Sequence, residues 1–327
     1  MVNKPIKIGV LGCANIAKRS VIPAILKLSR NFQLVAVASR AAEKAEEFAK
    51  AFGCEAIVGY DKLVRRRDID ALYIPLPTGL HRQWVNEALG SGKHVYVEKS
   101  IANSVSDAKE MVSNARVRKL ALMEGYMFLY HGQHRIVHDL ISSGAIGEIR
   151  HFFGSFGFPP LPRSNFRYDM ALGGGALLDA AGYPLRAAHD VLGRGLEVKA
   201  GTLYFDPETK SNEWGSAFLS TGNGIGASIA FGFDNYYQCR YEVWGSKGKI
   251  VAERAYTPGP DFRPIIRLEA DSGIQEIEAP AEDHFIGALT EFHRMILAPD
   301  ACERHYDDVV VQSRSLDLIR SFGAQEL

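Results

Sequence analysis

At 327 residues the chain is long enough for two domains of ordinary size, and its 46% hydrophobic content supports packed cores. Lysine plus arginine number 38 and aspartate plus glutamate 38, a balance that argues against nucleic acid as a partner. The four cysteines, Cys13, Cys54, Cys239 and Cys302, include no C-x-x-C pair, so they read as free thiols of a reducing compartment and not as a metal or redox centre.

The first part of the chain alternates two periodicities. Residues 6–11 form a short apolar run ending at Gly12, the pattern of a buried strand, and 16–29 carry helical spacing. Strands are then expected at 34–38, 71–74, 94–97 and 120–123, and helices at 41–52 (closed by Gly53), 81–89 and 106–116. Such alternation predicts a parallel, doubly wound sheet. No signal peptide precedes Ile6 and no apolar run reaches membrane-spanning length, so a soluble, cytoplasmic protein with no membrane partner is expected.

From about Tyr126 the pattern changes. Short strands are expected at 144–158, 196–205, 214–220, 226–233 and 237–243, with a turn at 246–249. Helices are expected at 133–142, 176–192, 283–296 and 307–322. The expected fold is therefore α/β. Residues 1–126 make an N-terminal Rossmann domain, and 127–327 a C-terminal α/β domain with a large, mostly antiparallel, open-faced sheet. The final helix is a candidate to pack back on the first domain. Residues 227–233 (Ala-Ser-Ile-Ala-Phe-Gly-Phe) are apolar at most positions without clean alternation, which predicts that both faces of that strand are covered. Helices can cover only one, so a second subunit is expected on the other, giving a homodimer or a homotetramer.

Gly12-Cys13-Ala14-Asn15-Ile16-Ala17 follows the first strand and opens the first helix, a G-x-A-x-x-A form of the dinucleotide fingerprint. Small residues there let the main chain approach a pyrophosphate, whose charge meets the helix N-terminus. An acidic residue ending the second strand would select NAD(H) by bonding the ribose hydroxyls. This chain has Ser39-Arg40 instead, with Lys44 one turn on. Arginine can clasp a 2′-phosphate with two N–H groups, so NADP(H) is favoured over NAD(H). Arg19, just beyond the loop, either reaches an anionic part of the ligand or is an ordinary surface residue.

Val95-Tyr96-Val97-Glu98-Lys99 ends a strand of the same sheet, where a lysine faces the ligand crevice unless it is a solvated cap. Asp179 and Tyr183 are four apart and would share one helix face, with Tyr183 otherwise a core aromatic. Gly92-Lys93-His94-Val95 precedes the Glu-Lys pair, Pro75-Leu76-Pro77-Thr78-Gly79-Leu80-His81 follows the third expected strand, and Gly173-Gly174-Gly175-Ala176-Leu177-Leu178-Asp179 comes later. Together these motifs resemble the Gfo/Idh/MocA oxidoreductases over essentially the whole chain. One departure is Ser100, where that family usually has proline. The stretches Met127–His134, Phe158–Pro162 and Tyr241–Ser246 are similar to those of nucleotide-sugar 3-ketoreductases from deoxysugar pathways.

The resemblance implies hydride transfer to a ketone, with Lys99 and Tyr183 supplying the proton that the new oxyanion needs. It implies that Leu76, Thr78, His81, Glu98, Arg167 and Asp179 border the cofactor, and that Tyr237 and Thr257, with Tyr236 and Tyr256 nearby, border a small sugar-like substrate. His131, His134 and His138 could share a helix face at metal-binding spacing, but no acidic or cysteine partner is evident and no metal is expected. His189 reads as a satisfied helix histidine. The leading reading is NADPH-dependent reduction of a nucleotide-linked 3-keto-deoxysugar. The alternatives are a dehydrogenase of a free sugar, inositol or trans-dihydrodiol, and an NADP-binding regulator without chemistry; the presence of both Lys99 and Tyr183 argues against the last.

Overall fold

The computed structural model describes residues 4–323, which divide into two compact units. The first runs through Gly125 and adds Phe285–Val310; the second is Tyr126–His284 with the chain from Val311 on. The chain thus passes between units three times, the last time within its final helix, where the sequence pattern shows one boundary after 126.

The first unit contains β1 (Ile6–Leu11), α1 (Ile22–Lys27), β2 (Phe32–Ser39), α2 (Ala42–Phe52), β3 (Glu55–Val58), α3 (Tyr60–Val64), β4 (Ala71–Ile74), α4 (His81–Gly90), β5 (His94–Val97), α5 (Val105–Arg118) and β6 (Leu122–Glu124). The strands form one parallel sheet in the order β3-β2-β1-β4-β5-β6. Ile8, Val10, Leu72, Tyr73, Val95 and Tyr96 have no exposed surface, so both faces of the central strands are covered. That is why these strands read as continuous apolar runs. The α2 helix stops at Gly53, whose φ of 66° is the left-handed cap that glycine adopts at little cost. The expected helix at 16–29 opens instead as a wider π turn, Ala17–Val21, before α1. Pro23 explains the change, because it has no N–H to return to Arg19 and its ring crowds that carbonyl.

The second unit contains α6 (Gly132–Ser142), β7 (Ile149–Gly157), α7 (Ala176–Asp179), α8 (Gly182–Leu192), β8 (Glu197–Phe205), β9 (Asn212–Ser220), β10 (Gly226–Gly232), β11 (Gln238–Gly245), β12 (Gly248–Ala252), β13 (Ile265–Ala270) and β14 (Gly273–Glu278). Its sheet runs β14-β13-β12-β11-β7-β10-β9-β8, and only β7 and β10 pair in parallel. The α8 helix packs on β7, β10 and β11. In β10, Ala227, Ile229 and Phe231 are buried while Ser228 and Ala230 face the open side, so the strand does alternate, with small residues in the outward places. The chain ends in α9 (His284–Leu297) and α10 (Cys302–Gly323). Among the described residues no helix is long and apolar enough to cross a membrane.

The expected helix at 176–192 is two helices, so Asp179 and Tyr183 do not share a continuous one. Pro184 is the cause. It cannot donate to the Ala180 carbonyl, which takes the Tyr183 N–H at 3.3 Å instead. The proline therefore sits in the first turn of α8, where its missing N–H costs nothing.

Candidate active site

The sheet order reverses between β1 and β4, and the crevice outside the carboxyl ends of such strands is the ligand site of this fold. Gly12 stands there with φ +127°, and a Cβ on it would lie 2.7 Å from Leu76 Cδ2. Only glycine lets the main chain take this path with Leu76 so close, and the cradle fits the close approach of a dinucleotide pyrophosphate. The loop is fixed by the Gly12 N–H on Ala38 O (3.0 Å). Cys13 is buried with its thiol on Ala38 O, and burial pushes its pKa up to about 11, so it is a structural thiol. Beyond it, Ala14 and Ile16 are partly exposed, Asn15 is exposed, Ala17 is buried, and Arg19 is exposed on the π turn.

Ser39 closes β2 with its hydroxyl accepting the Ala41 N–H (3.2 Å). Arg40 and Lys44 beside it are exposed cations. Arg40 also meets the hydroxyl of Tyr60. Sequence reasoning missed Tyr60, since β3, at four residues, and α3, at five, are too short to announce themselves by periodicity. The one signal was Gly59, a breaker just before it.

Leu76 and Thr78 lie on the loop after β4, and Glu98 and Lys99 on the loop after β5; both lysine and glutamate are partly exposed. Glu98 accepts the Tyr73 hydroxyl at 2.6 Å, and the Lys99–Ser100 peptide bond is cis. His81 ties these loops together. It is fully buried, with Nε2 2.7 Å from Leu76 O and Nδ1 2.9 Å from Ser100 O and 3.2 Å from Ile101 O. The carbonyls favour a protonated ring, but burial dominates and lowers the pKa to about 4. Its contacts are those of a brace between two loops of the crevice.

In the second unit, Arg167 Nε donates to Asp179 Oδ2 at 2.7 Å, so these two predicted residues form an ion pair. The triple glycine between them is there for space. A Cβ on Gly174 would lie 2.6 Å from Arg167 O, and one on Gly175 (φ +103°) 2.5 Å from the Asn212 side chain. Asn212 Oδ1 in turn accepts the Leu177 N–H at 2.7 Å, a role no sequence motif signalled. Tyr183 is 6% exposed, its ring packed among Tyr126, Phe128, Phe156 and Tyr256 at centroid distances of 4.7–6.0 Å. That nest fixes the direction of the phenol. Tyr237 lies 3.4 Å from Thr257 across their hydroxyls, Tyr236 is exposed, and Tyr256 is buried with its hydroxyl on Arg240 O.

The three spaced histidines have separate partners. His131 Nδ1 caps α6 by accepting the Gln133 N–H, and His138 pairs with Asp190 at 2.7 Å. His134 is held between the Tyr241 hydroxyl at Nδ1 and Ala255 O at Nε2. His189 meets Ser315 at 3.1 Å. Among the described residues no group of three or more acidic, cysteine or histidine side chains gathers as a metal site.

Comparison with known proteins agrees with this architecture. The model of an oxidoreductase family with an NAD-binding Rossmann fold matches residues 6–126, and that of the Gfo/Idh/MocA C-terminal domain matches 134–251. The chain belongs to the Gfo/Idh/MocA oxidoreductase family. Within the family it is 45% identical, over 90% of its length and 89% of the relative's, to the dTDP-3,4-didehydro-2,6-dideoxy-alpha-D-glucose 3-reductase of Saccharopolyspora spinosa. It is 38% identical to the enzyme of that name from Actinomadura kijaniata, over 99% of this chain and 97% of the relative. A solved structure of a 3-ketoreductase from Actinomadura kijaniata, in complex with NADP and TDP-benzene, matches with a TM-score of 0.94 at 38% identity, covering 97% of each chain.

The His134 environment predicts a pH dependence. Its partners fit the neutral ring with the proton on Nε2, and burial lowers its pKa from the ordinary 6.5 to about 4. Above about pH 6.5 neither folded nor unfolded chain carries the proton. Below it the unfolded chain takes up a proton that the folded chain refuses, so stability falls as pH falls towards 4. At pH 5 this one group costs about 2 kcal/mol. In thermal melts, the loss of stability from pH 7.5 to 5 should shrink by about that amount in His134→Gln. An equal loss in both proteins contradicts the assignment.

Proposed function

We propose that this chain is an NADPH-dependent ketoreductase that reduces the 3-ketone of a dTDP-linked deoxysugar. The observation that carries the reading is near full-length similarity, at 38–45% identity, to reductases of that substrate class. NADP(H) is supported by the cations Arg40 and Lys44 where an NAD-selecting carboxylate would stand, and by the NADP in the solved relative. Gly12 to Ala17 would hold the pyrophosphate, Ser39, Arg40 and Lys44 the 2′-phosphate, and Leu76, Thr78 and Glu98 the adjoining walls. Arg167 and Asp179, an ion pair of the second unit, are further proposed cofactor contacts, and His81 is proposed to act on the crevice through the loops it braces.

When bound, the cofactor supplies the hydride for the carbonyl carbon. The protein's part is the proton. Lys99 holds a cationic N–H donor at the carboxyl end of β5, which stabilises the developing oxyanion and delivers the proton. Tyr183 is the second donor. Solved structures of the Actinomadura kijaniata 3-ketoreductase include one Tyr-to-Phe and one Lys-to-Ala variant, which supports attention to that residue pair. Arg19, Tyr237 and Thr257 are the proposed substrate contacts.

We also place the protein in the cytoplasm, in keeping with four cysteines that are all free thiols. We further propose a homodimer or homotetramer assembled through the open sheet face of the second unit. There Phe153, Tyr204, Trp214, Phe218 and Trp244 are each at least 36% exposed, a cluster of large apolar side chains of the kind that marks an association surface. Light scattering should give a species of at least twice 36.0 kDa, and a single species of 36.0 kDa contradicts the assembly.

The functional test is NADPH oxidation with a panel of dTDP-linked 3-ketosugars and free ketosugars. Turnover confined to the linked ketones supports the reading; turnover of free sugars or dihydrodiols alone overturns it. Lys99→Ala should cut turnover by about 10²–10⁴-fold with little change in NADPH affinity. Near-normal turnover of that variant removes Lys99 from the mechanism. Arg40→Asp should erode the NADPH preference by about 10- to 100-fold, the scale of one charge-assisted phosphate contact, and an unmodified protein that binds NADH equally well refutes the role of Arg40.

A further inference from the structure

The loop between β12 and β13 carries Arg254, a cation that packs against two aromatic rings. The guanidinium of Arg254 lies 5.3 Å from the ring centre of Tyr237 and 5.4 Å from that of Phe262. Its Nε is buried and has no hydrogen-bond partner among the described residues. Arg186 and Arg267 of the same unit also have a buried Nε without a well-aligned hydrogen bond, but Arg267 lies 2.9 Å from Glu269 and Arg186 acts on Asp190. Arg163, Arg167, Arg240 and Arg263 of the same unit each face a carboxylate. The main chain at Arg254 is nevertheless held firmly. Gln133 Nε2 donates to the carbonyls of Arg254 (3.2 Å) and Ala255 (3.3 Å), and the Ala255 N–H donates to Cys239 O at 2.8 Å.

Aromatic contact engages the flat face of a guanidinium and leaves its in-plane N–H groups for hydrogen bonds. A buried N–H with no acceptor is costly, and a guanidinium kept this way is prepared for an acceptor that arrives from outside. An oxyanion suits such a guanidinium, and a phosphate, whose oxygens can accept parallel N–H bonds from the planar fork, is one that the proposed substrate carries. Two hydroxyls stand beside it, since Tyr237, which packs on Arg254, also reaches Thr257 at 3.4 Å.

We infer that Arg254 is the diphosphate anchor of the substrate site, a specificity residue that selects a nucleotide-linked sugar over a free one. Tyr237 and Thr257 add hydroxyl contacts to the same group. This rests on the proposed reading of the substrate as dTDP-linked.

Calorimetric titration of the NADPH-loaded protein with dTDP, and with inorganic pyrophosphate in parallel, tests it. The unmodified protein binds dTDP. Arg254→Gln weakens that binding by about 10- to 100-fold, the span of one charge-assisted hydrogen bond, and Arg254→Lys, which keeps the charge without the planar fork, falls between. NADPH affinity is unchanged in both, and KM for the linked ketosugar rises while kcat stays within about threefold, as expected for a contact made equally in ground and transition states. Pyrophosphate binding that falls in step with dTDP binding assigns the loss to the phosphates. Variants that bind dTDP as the unmodified protein does overturn the role of Arg254. An unmodified protein that fails to bind dTDP yet reduces a free ketosugar overturns the substrate reading on which the inference rests.

Discussion

The contact between Leu76 and the bare α-carbon of Gly12 is the constraint on which the first unit's site depends. A side chain at Gly12 would meet Leu76 at 2.7 Å, so the loop after β1 and the loop after β4 can close on each other only through glycine. The same Leu76 offers its carbonyl to His81, and His81 carries the connection on to Ser100 and Ile101, next to Lys99. One chain of contacts therefore runs from the phosphate cradle to the proposed proton donor. Burial keeps the imidazole neutral, so one ring nitrogen at a time donates, to Leu76 O or to the Ser100 and Ile101 carbonyls, while the packed ring fills the space between the two loops.

Crowding also sets the proposed residues of the second unit. Gly174 and Gly175 admit carbonyls and an amide where any side chain would collide, and this brings Arg167 within 2.7 Å of Asp179. The Tyr183 ring is held by four surrounding rings, a rigid arrangement that suits the proton-donor role proposed for it. Arg167 faces the Asp179 carboxylate, whereas the buried Nε of Arg254 has no acceptor among the described residues, the difference on which the proposed anchor rests.

Most of the first unit was legible in the sequence, because β1, β4 and β5 are buried on both faces and so read as uninterrupted apolar runs. What was lost was small or polar. The β3 strand and α3 helix are too short to show a period, and with them went Tyr60, the partner of Arg40. In the second unit β12, β13 and β14 were missed: β12 is five residues long directly behind a turn, charged residues interrupt the apolar pattern of β13 and β14, and β14 is an edge, where solvated polar side chains are expected. Pro184 was visible, but its consequence, a break that separates Asp179 from the helix of Tyr183, depends on how the chain re-forms its hydrogen bonds. Arg254 carried no motif at all. Its interest comes from a buried Nε with no acceptor among the described residues, which only a folded chain reveals.

The most direct test of the account is a fluorescence titration of NADPH into Gly12→Ala, alongside circular dichroism to establish that the variant is folded. The added methyl must displace Leu76 and the loop main chain, so NADPH affinity should fall by about tenfold or more while the dichroism spectrum is retained. A folded Gly12→Ala protein that binds NADPH as tightly as the unmodified one would contradict the claim that this close approach forms the cofactor cradle.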